Sequence, residues 1–242
     1  AEWAMLGGVA AEGLRWFLVP RRDYTIEDTW FVSGLRGTGS KDIVIEEAFI
    51  PEYRAVNVAD LRAGQSPGRS IHGSCNYLIP HTTMLSYTLA APVLGMAQGA
   101  VDTFEEQVMG RVTYTTGDKL GENPSVHIRL SEAEAEVHCA RLIMKYDGEE
   151  VFGQARRGEM PSLSQRARCR RNQAYMAKLA VRAVDRLFEA SGGHVLFNSN
   201  PMQRFHRDAH AASHHFGIHW ETQAEEYGRV RLGLELKNPG RI

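Results

Sequence analysis

The chain is poor in the features that would fix its class at once. It has only three cysteines, Cys75, Cys139 and Cys169. They are widely separated, odd in number and in no CxxC spacing, which argues against a disulfide scaffold and for a reducing, cytoplasmic setting. It has almost no net charge, -1 from 28 basic and 29 acidic residues, and the basic residues are scattered, so neither nucleic acid nor a membrane surface is expected as a partner. No unbroken apolar run approaches the roughly 18 residues of a membrane span, and no basic segment followed by a short apolar stretch opens the chain. There is no HExxH pattern. The one glycine-rich stretch, Ser33-Gly-Leu-Arg-Gly-Thr-Gly-Ser40, is followed by no helix start, so it is neither a P-loop nor a dinucleotide fingerprint and reads as a sharply turning loop.

What is present is ample apolar material. With 242 residues, 43% of them hydrophobic, the chain can bury a core as one large domain or two smaller ones. It opens on Ala1, and Glu2 to Val9 reads as a strand already under way, so a piece of a longer polypeptide is expected.

Residues 2 to 9 and 14 to 20 are short, rich in Trp, Phe, Val and Leu, and separated by turn-forming residues, which predicts a hairpin. Tyr24 to Val32 and Asp42 to Ile50, the latter stopped by Pro51, are read as a third and a fourth strand. Residues 63 to 80 are rich in Gly, Ser and Pro and mark a linker. Helical periodicity then takes over, over 84 to 112 with a kink at Pro92, over 125 to 146, and over 172 to 190 with a glycine stop at Ser191-Gly192-Gly193. A fourth helix is expected from Gln203 to Arg229. The organisation that follows is α+β: a β-domain over 1–62, built as a small barrel or sandwich, a linker over 63–80, and a four-helix bundle over 81–242.

Six of the ten histidines fall between residues 194 and 219. On one continuous helix His206, His210 and His214 share a face, and His215 and His219 form a second row. Three readings compete. The cluster could be a polar helix face. It could be a metal site, although the spacing supplies neither a third ligand type nor a cysteine pair, so no metal is expected. Or one histidine could act as hydrogen-bond donor or base, with the rest as bystanders.

Trp30 to Pro51, with Gly34-Leu-Arg-Gly-Thr-Gly-Ser40 and Asp42-Ile-Val-Ile-Glu-Glu-Ala-Phe-Ile-Pro51, resembles the middle β-domain of the acyl-CoA dehydrogenase superfamily. The pairing of Ser191-Gly192-Gly193 with Arg207-Asp208-Ala209 points the same way. The superfamily's N-terminal helical domain has no counterpart in these residues. Where its dehydrogenases often carry a glutamate base shortly after Arg-Asp-Ala, this chain reads His215-Phe216-Gly217-Ile218. A histidine there is similar to the flavin-dependent monooxygenases of the same fold, the oxygenase components of two-component phenol hydroxylases such as those acting on 4-hydroxyphenylacetate or secosteroid phenols.

That resemblance implies reduced flavin, FMNH2 or FADH2, as co-substrate and O2 as oxidant. It implies a C4a-hydroperoxyflavin, an aromatic and phenolic substrate, a separate flavin reductase and a homotetramer. It implies His215 as catalytic base, Arg111, Ser191, Gly192 and Gly193 at the cofactor, and Tyr87, Phe216 and His72, with His81 beside it, at the substrate. Phe216 is expected to exclude water. Two alternatives stay open: an acyl-CoA dehydrogenase with a displaced base, and a truncated, non-catalytic assembly module.

Overall fold

The computed structural model describes residues 1–242, the side chain of residue 241 excepted. Its contacts divide the chain into two compact units. The first comprises Ala1–Val32, Arg36–His81 and Val151–Pro161, and the second Ser33–Leu35, Thr82–Glu150 and Ser162–Ile242.

The first unit carries the small sheets. Strands β1 (Trp3–Ala10) and β2 (Gly13–Pro20) form the expected antiparallel hairpin, in register from Trp3 opposite Pro20 to Ala10 opposite Gly13. Gly13 has φ +116, which a residue with a Cβ rarely adopts. The expected third and fourth strands are much shorter than read: only β3 (Thr25–Glu27) and β4 (Asp42–Val44) pair, as a separate two-stranded ribbon. All six of those residues are exposed, and an uncovered two-stranded ribbon has little to hold further rungs together. A strand that the pattern did not reveal, β5 (Ala55–Asn57), adds to the free edge of β2. Two short helices follow, α1 (Val58–Arg62) at the end of the stretch expected as β-domain and α2 (Gly68–His72) within the expected linker.

The helices begin with α3 (His81–Leu85) and α4 (Tyr87–Met109), which runs on through Pro92. An 18-residue window within His81–Met109 reaches a mean hydropathy of 1.2, so by length and composition this helix could cross a membrane, contrary to the expectation. In the second unit its apolar residues are spent inward instead. Ala90, Val93, Ala97, Ala100, Val101 and Phe104 are buried in one core with residues of the later helices. Helix α5 spans Pro124–Arg156.

Helix α6 (Leu163–Ala190) starts nine residues before the expected Asn172. The reason is a capping box: the Ser162 hydroxyl accepts from the Gln165 N–H while the Gln165 side chain accepts from the Ser162 N–H. Its inner face, including Met176, Ala180, Ala183, Val184 and Leu187, is fully buried. It ends at Ser191, followed by Gly192 at φ +67, as the glycine stop predicts.

The expected single helix over 203–229 is two: α7 (Pro201–Ser213) and α8 (Trp220–Arg231). Gly217 lies in the turn between them. A Cβ at that position would come within 2.9 Å of Ser86 Oγ and 3.1 Å of Leu89 Cδ1, so the backbone here presses directly on α4 and its approach. The neighbouring Ile218 is 1% exposed. Of the histidine rows inferred from a continuous helix, His206 and His210 do share a face of α7, their ring centroids 4.6 Å apart, whereas the row of His215 and His219 does not form because the turn lies between them.

Candidate active site

The turn between α7 and α8 fixes His215. Its N–H donates to the Ala212 carbonyl at 3.1 Å, and its own carbonyl accepts from Ile218 N–H at 2.9 Å. The Gly217 N–H donates to His215 Nδ1 at 3.0 Å. Because Nδ1 is the acceptor, a neutral ring here holds its proton on Nε2, the nitrogen turned away from the turn. The pKa of the ring lies below the usual histidine value, first because burial disfavours the imidazolium and second because the Arg170 guanidinium repels it. The arrangement yields an uncharged imidazole with a defined tautomer.

Arg170 is a neighbour of this turn that sequence patterns do not reveal. It sits on α6 with 5% of its surface exposed. Its guanidinium donates to the Ser86 hydroxyl and, at 3.0 Å, to Gln173 Oε1. Gln173 in turn donates to the Thr83 carbonyl at 2.7 Å. Ser86 is the atom against which Gly217 rests, so one buried cation both braces the turn and sets the charge that His215 feels. A lone arginine within a basic stretch gives no sequence signal for this, because its partners come from residues 83 and 86.

The four residues expected at the cofactor lie together. Arg111, just past α4, donates from its guanidinium to the Ser191 carbonyl at 2.9 Å, and Ser191 itself is buried, its hydroxyl bonded to the Leu187 carbonyl at 2.7 Å. Next to it, Gly192 and Gly193 present bare backbone: nothing lies within 4 Å of where a Cβ would stand at either.

The residues expected at the substrate are dispersed. Tyr87 belongs to the core of the second unit, and its hydroxyl donates to the buried Asp147 at 2.7 Å. Burial, and then the adjacent carboxylate, hold its phenol well above the ordinary value. Asn172 donates to the same Asp147 oxygen at 2.9 Å, and Arg168 pairs with the other at 3.3 Å. Phe216 stacks on His215, with centroids 4.6 Å apart, but is 67% exposed. His72 and His81 belong to the first unit, where His72 stacks on Tyr77 and His81 meets the edge of Trp16.

The two motifs that carried the family resemblance meet in the second unit. Leu35 N–H donates to Asp208 Oδ1 at 2.6 Å, and the Arg207 guanidinium donates to the Ser33 carbonyl at 2.6 Å. Gly34 between them admits no side chain, since a Cβ would lie 2.2 Å from the Arg207 carbonyl oxygen.

Comparison with known proteins gives the same direction. The chain is 35% identical over 242 residues to the flavin-dependent monooxygenase oxygenase subunit HsaA of Rhodococcus jostii strain RHA1, covering 98% of this chain and 63% of that protein. It is 33% identical to the oxygenase component of the FADH(2)-dependent resorcinol hydroxylase of Rhizobium sp. strain MTP-10005, covering 98% and 62%. Its fold superposes on the crystal structure of 3-HSA hydroxylase from Rhodococcus sp. RHA1 with a TM-score of 0.93 at 34% identity, covering 100% of this chain and 63% of that one. The chain thus spans less than two thirds of the length of these relatives. Residues 87–220, more than half of its 242, match the family model described as acyl-CoA dehydrogenase, C-terminal domain, and the chain belongs to that family.

Proposed function

We propose that this chain is the greater part of the oxygenase component of a two-component flavin-dependent monooxygenase that hydroxylates an aromatic, phenolic substrate. The observation that carries the reading is His215: a turn-locked, uncharged imidazole with its proton on Nε2 stands where the family's dehydrogenases often carry a glutamate. The names of the relatives support it.

The residues present suit a flavin. Arg111 offers a guanidinium to a phosphate, and the open backbone at Gly192 and Gly193 leaves room for a close approach. Reduced flavin, FMNH2 or FADH2 supplied by a separate reductase, would provide the electrons that activate O2. Neutral His215 would donate a hydrogen bond through Nε2 to the bound oxygen species; as the base it would take the phenol's proton at Nε2 only from the other tautomer, in which Nδ1 carries the proton and the Gly217 bond is given up. Arg170 would keep it deprotonated between turnovers. Phe216, stacked on the ring, would shield it from water once substrate covers its exposed face.

The finer architecture belongs to the same proposal. The five strands are read as part of a barrel or sandwich over 1–62, and α4 to α8 as a helix bundle. A homotetramer is supported by large apolar side chains left outside the second unit's core, among them Ile128, Leu142, Leu196 and Leu232, each more than half exposed.

The test is a single-turnover mix of the enzyme and chemically reduced flavin with oxygenated buffer and a panel of phenols. Hydroxylated product formed at the expense of hydrogen peroxide supports the reading. Peroxide alone with every phenol, together with anaerobic bleaching of oxidised flavin by an acyl-CoA, would replace it with a dehydrogenase.

A further inference from the structure

We propose that Asp185, His206 and His210 form a binding site for one divalent transition-metal cation of the zinc class, tying α6 to α7. The sequence alone shows two histidines four residues apart and no third ligand. The fold supplies it from another helix, 21 residues before His206. Asp185 Oδ1 lies 2.7 Å from His210 Nε2 and 3.3 Å from His206 Nε2, and the three ligand atoms all fall within 4.8 Å of one another.

Those separations are what a cation requires. Ligand atoms about 2.1 Å from an ion, at angles between octahedral and tetrahedral, lie about 3.0–3.4 Å from each other. The 3.3 Å separation falls within that range and the 2.7 Å separation 0.3 Å below it, so a cation displacing the imidazole protons would move Asp185 and His210 slightly apart. Two imidazole nitrogens and one carboxylate oxygen form a borderline set that suits zinc, nickel, copper or cobalt over magnesium or calcium.

The ligands are also held in place. The His206 ring stacks on Phe188 with centroids 4.1 Å apart and planes at 23°, and the His210 carbonyl is engaged by His214 Nδ1 at 2.8 Å. All three side chains keep about a third of their surface exposed, 31%, 38% and 37% for His206, His210 and Asp185. A hydrated ion can therefore arrive, and water can fill the coordination positions that the protein leaves open. None of the three residues takes part in the chemistry proposed for His215.

The probe is zinc chloride titrated calorimetrically into chelator-treated protein, with the cobalt(II) visible spectrum as a report on imidazole ligation. One equivalent per chain is expected, with an upward shift in melting temperature. Asp185→Asn and His210→Gln should each weaken it by about tenfold or more, whereas His138→Gln, an exposed histidine on α5, should leave it unchanged. No stoichiometric zinc uptake by the wild-type chain overturns the proposal whatever the variants do. So does uptake that survives Asp185→Asn and His210→Gln in variants with a wild-type circular dichroism spectrum.

Discussion

The Leu35 N–H donates to Asp208 Oδ1 over 2.6 Å, across 173 residues of sequence. Leu35 has φ +54, a left-handed backbone rare for a leucine. The bond to the carboxylate, with Gly34 pressed against the Arg207 carbonyl, holds it there. Asp208→Ala should therefore destabilise the chain by about 1–3 kcal/mol, the cost of stranding a part-buried donor. Gly34→Ala should cost at least as much, because the obstacle to its methyl is backbone. Urea denaturation of both variants checks this, and a wild-type midpoint for either refutes the docking.

Arg170→Met removes the cation that depresses His215 without changing the turn's own hydrogen bonds. The acidic limb of the pH–hydroxylation profile should move to higher pH, toward the ordinary histidine value. Burial remains as the other cause of the depression, so the shift should be partial. His215→Gln should remove that limb altogether and cut product yield per O2 consumed by about 10²-fold or more. An unmoved profile in Arg170→Met would detach Arg170 from the chemistry.

Tyr87→Phe separates a core role from a substrate role. Losing the donor to buried Asp147 should lower stability by about 1–2 kcal/mol, with Asn172 and Arg168 still holding the carboxylate. The Kd for a phenol should stay as in wild type; a severalfold weaker Kd would return Tyr87 to the substrate.

Gly192→Ala places a Cβ on a residue at φ +67 and ψ -169, a backbone region essentially confined to glycine, at a cost of about 1–3 kcal/mol. Arg111→Ala removes the guanidinium that meets Ser191. If these residues hold the flavin, both variants should weaken reduced-flavin binding, read by fluorescence quenching under anaerobic conditions, and Arg111→Ala should do so more strongly. Undiminished affinity in both removes them from the cofactor.

Acid sensitivity follows from two depressed histidines, His206 and His215, both lowered mainly by burial. The unfolded chain takes up these protons near pH 6.5, the folded chain only at lower pH. Stability is thus complete above about pH 6.5 and falls as the pH drops through the folded values. Melting temperature should decline between pH 7.5 and 5.5, and less steeply in His206→Gln. An identical slope in that variant contradicts the assignment.

Local signals were readable where neighbours in sequence decide the structure. The β1–β2 hairpin, the apolar stripe of α4 and the glycine stop after α6 follow from residues a few positions apart. The expected fourth helix is two because a turn over 214–219 brings Gly217 close to Ser86, a long-range contact that no spacing within 203–229 announces. The early start of α6 is legible in Ser162 and Gln165, a capping pair set within a stretch dominated by arginine. For the site, the family resemblance pointed to His215, whereas the surroundings of Arg170 and Asp185 are made by partners on other helices and emerge only from the fold. Tyr87 and Phe216 illustrate the converse: aromatic character marked them, but one hydroxyl is committed to Asp147 and one ring lies largely in solvent.

The bond from Gly217 N–H to His215 Nδ1 means that the imidazole takes its aim from main chain and not from a carboxylate partner. Among the described residues no anion stands behind the ring to stabilise an imidazolium, and the Arg170 guanidinium disfavours one further, so the same main-chain bond that orients the ring leaves its charged form costly.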